Sequence, residues 1–353
     1  MLKNLFTSNF NKKVFFKLLG KAFLFVALIY IPFALAITFF PKSILNQRFG
    51  FSRFQHKMTG PKKEKLKYKN LFLGNSIAMS DIRAHEMEET LVLGGNLLTV
   101  IPNYYMFKRY LKNNHAPEYV FVNPQMANYD KNFFWEAQKF DYMDYDDVLE
   151  VMEHAQELND WPTNETNSFT FFLKATSIKL NLIHSYLTEL KSGLFKQRFK
   201  AQEVAIESME NYNGYVNFAA LKRSMKLRKL GSRKRRLRVR PPLEREAVQM
   251  NILLPKIHEF YIKKFARLAK KNNVKLVYLL YPLSPVRIKK LPYGFKDHFK
   301  DYYEGLTKEF PNVSVWTYKN FYNLDKFVDA GHLNAKGSIF FKKEVETLLR
   351  EVN

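Results

Sequence analysis

The sequence predicts an α/β fold: a doubly wound, parallel, five-stranded sheet interrupted by a large, mostly helical insertion, with one N-terminal transmembrane helix in front of it. Three observations predict this. Short apolar runs alternate with longer amphipathic stretches from residue 66 onward. About 150 residues separate the third run from the fourth, too many for a bare loop. Residues 22–40, AFLFVALIYIPFALAITFF, carry no charge. With 353 residues, 46% of them hydrophobic and 16% aromatic, the chain has the material for one large core.

Residues 1–21 read as a cytoplasmic tail containing Lys3, Lys12, Lys13, Lys17 and Lys21. As a helix rising about 1.5 Å per residue, segment 22–40 is long enough to cross a hydrocarbon layer of roughly 30 Å. The lysines before it orient the rest of the chain away from the cytoplasm. Ala34 and Ala36 form an A-x-A pattern that raises the alternative of a cleaved signal peptide, but the apolar run continues through Ile37, Thr38, Phe39 and Phe40. Residues 41–65 are basic and poorly periodic and read as a linker.

Residues 66–353 form the α/β domain. Its predicted strands are Tyr68–Leu73, Thr90–Leu93, Tyr119–Val122, Val274–Tyr281 and Val313–Trp316, each short and apolar, as strands buried on both faces are. Predicted helices are Ser76–Glu88, Ile101–Asn113, Asn251–Asn272, Phe295–Phe310 and Ala335–Val352, and right-handed crossovers through them give the doubly wound arrangement. The insertion, about 130–250, has amphipathic stretches at Tyr145–Leu158 and Ser177–Leu190.

Chemistry-bearing residues occur at two places. At 71–80 the chain reads LFLGNSIAMS, so Ser76 stands where the first strand ends and a helix begins. Reactive groups in an open parallel sheet belong at the carboxyl ends of strands, and a helix N-terminus favours developing negative charge. Serine is equally a preferred helix N-cap, so the stretch alone leaves both roles open. At 327–340 the chain reads FVDAGHLNAKGSIF, placing Asp329 and His332 on the loop before the last helix. A serine nucleophile needs a base, and the base needs a group that fixes its tautomer; His332 and Asp329 have the right chemistry, while Asn334 is a candidate cap for the last helix.

LFLGNS together with DAGHLNAKGS resembles the first and last sequence blocks of the SGNH, or GDSL-type, hydrolase superfamily. NYYMFKRYLKNNHAPEYVFVNP at 103–124 and LVYLLYPLSP at 276–285 resemble its membrane-anchored branch, which includes the D-alanyl transfer proteins of teichoic acid modification and the alginate O-acetylation proteins. The resemblance covers roughly 66–125 and 250–353 and implies a flavodoxin-like sheet. It implies Ser76 as nucleophile, His332 as general base and then acid, and Asp329 as its orienter. Asn75 replaces the aspartate of the family's GDS. The second-block glycine of the oxyanion hole falls on Gly95 or its neighbour Gly94. The third-block asparagine falls on Asn123 or Asn128, with Asn96 further off. The activity so implied is transfer or hydrolysis of an acyl group, most simply acetyl, on a cell-envelope polymer. The implied partner is a multi-spanning membrane O-acyltransferase, and the implied location is the cytoplasmic membrane, single-pass, with the domain extracytoplasmic. A non-catalytic accessory subunit of such a complex is the alternative.

Composition excludes other classes. The chain has no cysteine, which removes disulfides, thiolate nucleophiles and iron–sulfur ligation. It has no phosphate-binding glycine motif and no histidine pair at metal-ligand spacing, so neither a cofactor nor a metal is expected. The 57 Lys and Arg against 33 Asp and Glu give a formal charge of +24, attractive to polyanions. The charge is densest at Lys222–Arg240, KRSMKLRKLGSRKRRLRVR. There Arg233, Lys234, Arg235 and Arg236 are expected to meet lipid head groups, an anionic polymer or an acidic partner rather than nucleic acid.

Overall fold

Five apolar runs become five strands: β1 (Asn70–Gly74), β2 (Thr90–Gly94), β3 (Tyr119–Val122), β4 (Lys275–Leu280) and β5 (Val313–Thr317). The computed structural model describes residues 16–21, 23–25, 28, 31–32, 50–95, 98–123, 142–163, 167–176, 206–216, 255–289, 294–329 and 331–352. All four pairings are parallel, in the order β2-β1-β3-β4-β5. Every residue of β1, β2 and β3 is buried, which explains their unbroken Leu, Val and Phe content. Phe72 and Phe121 stack across β1 and β3 at 4.3 Å.

Among the described residues the helices include α1 (Gly50–Thr59), α2 (Ser76–Asp81), α3 (Val100–Asn113), α4 (Tyr145–Leu158), α5 (Lys256–Lys271), α6 (Pro285–Ile288), α7 (Phe295–Glu309) and α8 (Ala335–Val352), with 3-10 turns at Ala84–Glu86 and Leu324–Lys326. Helical periodicity selects their inner faces. In α5 the buried residues are Ile257, Tyr261, Ile262, Phe265, Ala266 and Ala269, one apolar stripe. In α4 they include Val148, Val151 and Ala155, and the buried Asp147 beside them pairs with Arg109 of α3 at 2.5 Å. From β1 the chain steps one way to β2 and afterwards the other way to β3, β4 and β5. The order therefore reverses beside β1, and a crevice belongs over the carboxyl ends of β1 and β3.

Three features depart from the sequence reading. The transmembrane helix predicted over 22–40 is not seen: among the described residues no helix is long and apolar enough to cross a membrane. A span needs about 20 consecutive apolar residues. The described residues 16–21, 23–25, 28 and 31–32 supply no such run and include Lys17 and Lys21. Within 41–65, expected to be a linker, α1 buries Phe51 and Phe54 against the core with Met58 beside them, a spacing of three and four. The helix predicted over Ser76–Glu88 stops at Asp81, where Ile82 turns extended (φ −92°, ψ 109°).

The insertion is described in part. Its 206–216 segment lies along the open edge of the sheet, where the Val92 N–H donates to the Asn213 carbonyl at 2.9 Å and the Val216 N–H to the Met79 carbonyl at 2.8 Å. The first bond occupies a group that the edge strand β2 otherwise exposes, and the second ties the segment to α2. Ser177–Leu190 and the Lys222–Arg240 run, with Arg233, Lys234, Arg235 and Arg236, lie outside the described residues.

Candidate active site

Helix α2 leaves the end of β1 through Gly74 and Asn75. Asn75 is extended (φ −90°, ψ −162°), and its side-chain oxygen accepts the Ile77 N–H at 2.8 Å. Asparagine is thus the N-cap, and Ser76 is the first helical residue, relieved of the capping role. Ile77, Ala78, Met79, Ser80 and Asp81 are all buried, so Ser76 is the residue of α2 that keeps access to solvent. The close seating of α2 depends on Gly94 at the end of β2. A Cβ there would lie 2.5 Å from Met79 Cγ and 3.0 Å from the Asn75 carbonyl oxygen. Gln55 of α1 braces the same strand end, donating its Nε2 N–H to the Gly94 carbonyl at 2.6 Å.

The second half is the 327–334 loop. Phe327 and Leu333 form an isolated antiparallel bridge, and the Val328 N–H donates to the His332 carbonyl at 2.9 Å. One carboxylate oxygen of Asp329, Oδ1, accepts the Gly331 N–H and the His332 N–H, each at 3.0 Å, and meets His332 Nδ1 at 2.8 Å. A carboxylate only accepts, so Nδ1 carries the proton in the neutral ring and Nε2 presents its lone pair. His332 Nε2 lies 2.8 Å from Ser76 Oγ, whose hydroxyl donates to it. Asn334 does cap α8, its Oδ1 accepting the Gly337 N–H at 3.0 Å. The cap of α8 is therefore Asn334, and His332 is left facing Ser76. Gly337 is required sterically, since a Cβ there would fall 2.2 Å from the Lys326 carbonyl oxygen.

The segment that leads from β5 into this loop is tied to α8 by Glu344. Its buried carboxylate accepts the Lys319 N–H at 2.7 Å, the Asn320 side-chain N–H at 2.8 Å and the Tyr322 hydroxyl at 3.0 Å. A further bond joins the two halves: the Leu333 N–H donates to Asp81 Oδ1 at 3.1 Å.

The remaining sequence-predicted residues fall as follows. The Gly95 N–H donates to the Gly74 carbonyl at 3.1 Å, so Gly95 sits beside the strand end from which Ser76 departs. Asn123 directly follows β3, is buried, and donates its backbone N–H to the Leu73 carbonyl at 3.4 Å, two residues below Asn75. Asn96 and Asn128 lie outside the described residues. Sequence reasoning did not find Gln55, Glu344 or Asp81. Gln55 and Glu344 had no motif around them, and Asp81 stood inside an ordinary amphipathic pattern. Among the described residues no group of three or more His, Asp or Glu could hold a metal ion.

No family model matches the chain, and no curated protein sequence matches it. Among solved structures it is similar to a proposed acylhydrolase from Bacteroides fragilis, at 11% identity over 88% of this chain and 98% of that one, with a TM-score of 0.37. It is also similar to a GDSL-like lipase from Bacteroides thetaiotaomicron, at 11% identity over 86% of this chain and 100% of that one, with a TM-score of 0.38.

Proposed function

We propose that this chain is an SGNH-type serine esterase or acyl transferase in which Ser76 is the nucleophile, His332 the base and Asp329 the residue that orients the base. The observation that carries the reading is the continuous contact from Ser76 Oγ through both nitrogens of one imidazole to Asp329, made by residues 256 positions apart. A capping serine has no need of such a partner, and here the cap is Asn75.

In this reading Ser76 Oγ attacks the carbonyl carbon of an acyl ester while His332 Nε2 takes the hydroxyl proton. Asp329 stabilises the imidazolium through Nδ1. Collapse of the tetrahedral intermediate breaks the ester C–O bond, and the departing alcohol takes the proton back from Nε2. The acyl group remains on Ser76 until water or an acceptor hydroxyl, deprotonated by the same nitrogen, removes it. The negative oxygen of the intermediate is met by the Ser76 N–H at the start of α2, and Asn123 is the proposed side-chain donor. The Gly95 N–H joins them once its bond to the Gly74 carbonyl gives way. On the sequence resemblance, the acyl group is acetyl, the acceptor is an envelope-polymer hydroxyl and the acyl source is a membrane O-acyltransferase.

The test is covalent labelling. A fluorophosphonate probe should modify the purified chain at Ser76, and simple acetyl esters should be turned over. Ser76→Ala should abolish both. A folded wild-type chain that neither labels nor turns over ester would replace this reading with that of a non-catalytic accessory subunit.

A further inference from the structure

We infer that Asp81 is a positioning residue for this reaction: its carboxyl holds the His332 loop against the helix that Ser76 begins, and its charge supports the imidazolium formed on His332. The inference rests on the Ser76–His332 reading above.

Ser76 opens α2 and Asp81 closes it, one short and nearly buried turn and a half apart. Asp81 itself is completely buried. Its Oδ1 accepts the Ser80 hydroxyl at 2.5 Å and the Leu333 N–H at 3.1 Å. Leu333 is the residue directly after His332, so this bond sets the height of the backbone from which the imidazole hangs. The bonds of Asp329 Oδ1 to the Gly331 and His332 N–H groups and to His332 Nδ1 lie within its own loop and fix how the ring is turned. The Asp81 bond crosses from the loop to the nucleophile's helix. Misplacing a reacting group by about 1 Å costs on the order of a hundredfold in rate, so the height of the loop matters.

The carboxyl is held at a cost. Among the described residues, Asp81 Oδ2 is buried without a hydrogen-bond partner. Burial pushes the acid up to about 7. The Ser80 hydroxyl, the His332 charge and the Leu333 N–H pull it back down, and the Asp329 charge adds to the rise. A buried acid left half unsatisfied is poor material for stability alone. The groups that face it are Ser80 from its own helix, His332 and Asp329 from the loop, and the phenols of Tyr281 and Tyr322 from beyond β4 and β5. Burial is the main cause that raises both phenols, and the Asp81 charge adds to it. Of these, only His332 gains a positive charge during the proposed step. The attraction that lowers the acid is reciprocal, so an ionised Asp81 favours that charge.

The experiment measures the rate of fluorophosphonate labelling of the full chain between pH 5 and 9 for wild type, Asp81→Ala and Asp81→Asn. Asparagine keeps an oxygen for the Leu333 N–H and removes the charge; alanine removes both. Asp81→Ala should label about tenfold to a hundredfold more slowly. Asp81→Asn should recover most of the rate at high pH while its acid limb moves to lower pH by about half a unit or more. An Asp81→Asn profile that superimposes on wild type would overturn the inference and leave Ser76 as nucleophile untouched. Asp81→Ala labelling at the wild-type rate would do the same. If Asp81→Ala fails to fold, the asparagine profile decides alone. An unlabelled wild type would instead bring down the Ser76 reading, and this inference with it.

Discussion

Five of the six residues of the helix that begins with Ser76 are buried, whereas the loop that carries His332 leaves that side chain 23% exposed and Asp329 36% exposed. Ser76 is held by packing: Met79 against Gly94, Ile77 and Ala78 in the core, and one asparagine cap. His332 is held by polar straps that include the Asp329 carboxylate on two backbone N–H groups, the Phe327–Leu333 bridge, and Glu344 tying the approach to α8. Packing resists displacement in every direction, but straps resist it only along each bond. Substitutions in the two halves should therefore separate stability from activity in opposite ways.

The largest effect belongs to the strapped half. His332→Ala should slow probe labelling of Ser76 by three orders of magnitude or more, about what loss of a triad member costs. Its thermal midpoint should fall far less than its labelling rate, because the ring lies outside the hydrophobic core cluster and is held by polar contacts. A midpoint that falls sharply would mean that the loop is packed rather than strapped. Next comes Gly337→Ala. The added methyl meets the Lys326 carbonyl, and relief requires the loop to shift, at about 1–3 kcal/mol in chemical denaturation. The labelling rate should fall with it by about tenfold, since the shift is passed to His332. The smallest effect, and the one that sharpens the contrast, is Asn75→Ala. Loss of the cap should cost about 1 kcal/mol, while Ser76→Ala, one residue on, should cost much less. Equal losses for the two would return the capping role to the serine.

What was legible in the sequence follows the same division. The five strands were found to within two residues; for β1, β2 and β3 this is because a strand buried on both faces reads as a near-continuous apolar run. The last helix matched Ala335–Val352 because its periodicity is long. Ser76, Asp329 and His332 were singled out by residue type, and the fold brings all three into contact. The supports were harder to see. In α1, Phe51, Phe54 and Met58 do follow helical spacing, but Arg53, His56 and Lys57 between them gave the stretch the look of a linker. Helix α2 was drawn too long because nothing local announces its end; Asp81 turns inward to a partner 252 residues away. Asn75 was read as a replaced aspartate, when its own oxygen is the cap that frees the neighbouring serine.

The span between Ser76 and His332 also orders events in time. A ribosome adding about 5–20 residues per second needs roughly 13–50 s to travel the 256 positions that separate them. Throughout that interval the emerging chain carries the serine without its base. Strands β1, β2 and β3 can pair while Ser76 is still an ordinary alcohol. An arrested chain that ends inside the insertion would expose a harmless hydroxyl rather than an unregulated acyl acceptor. On the proposed reading, completion of the C-terminal loop is the event that switches the chemistry on.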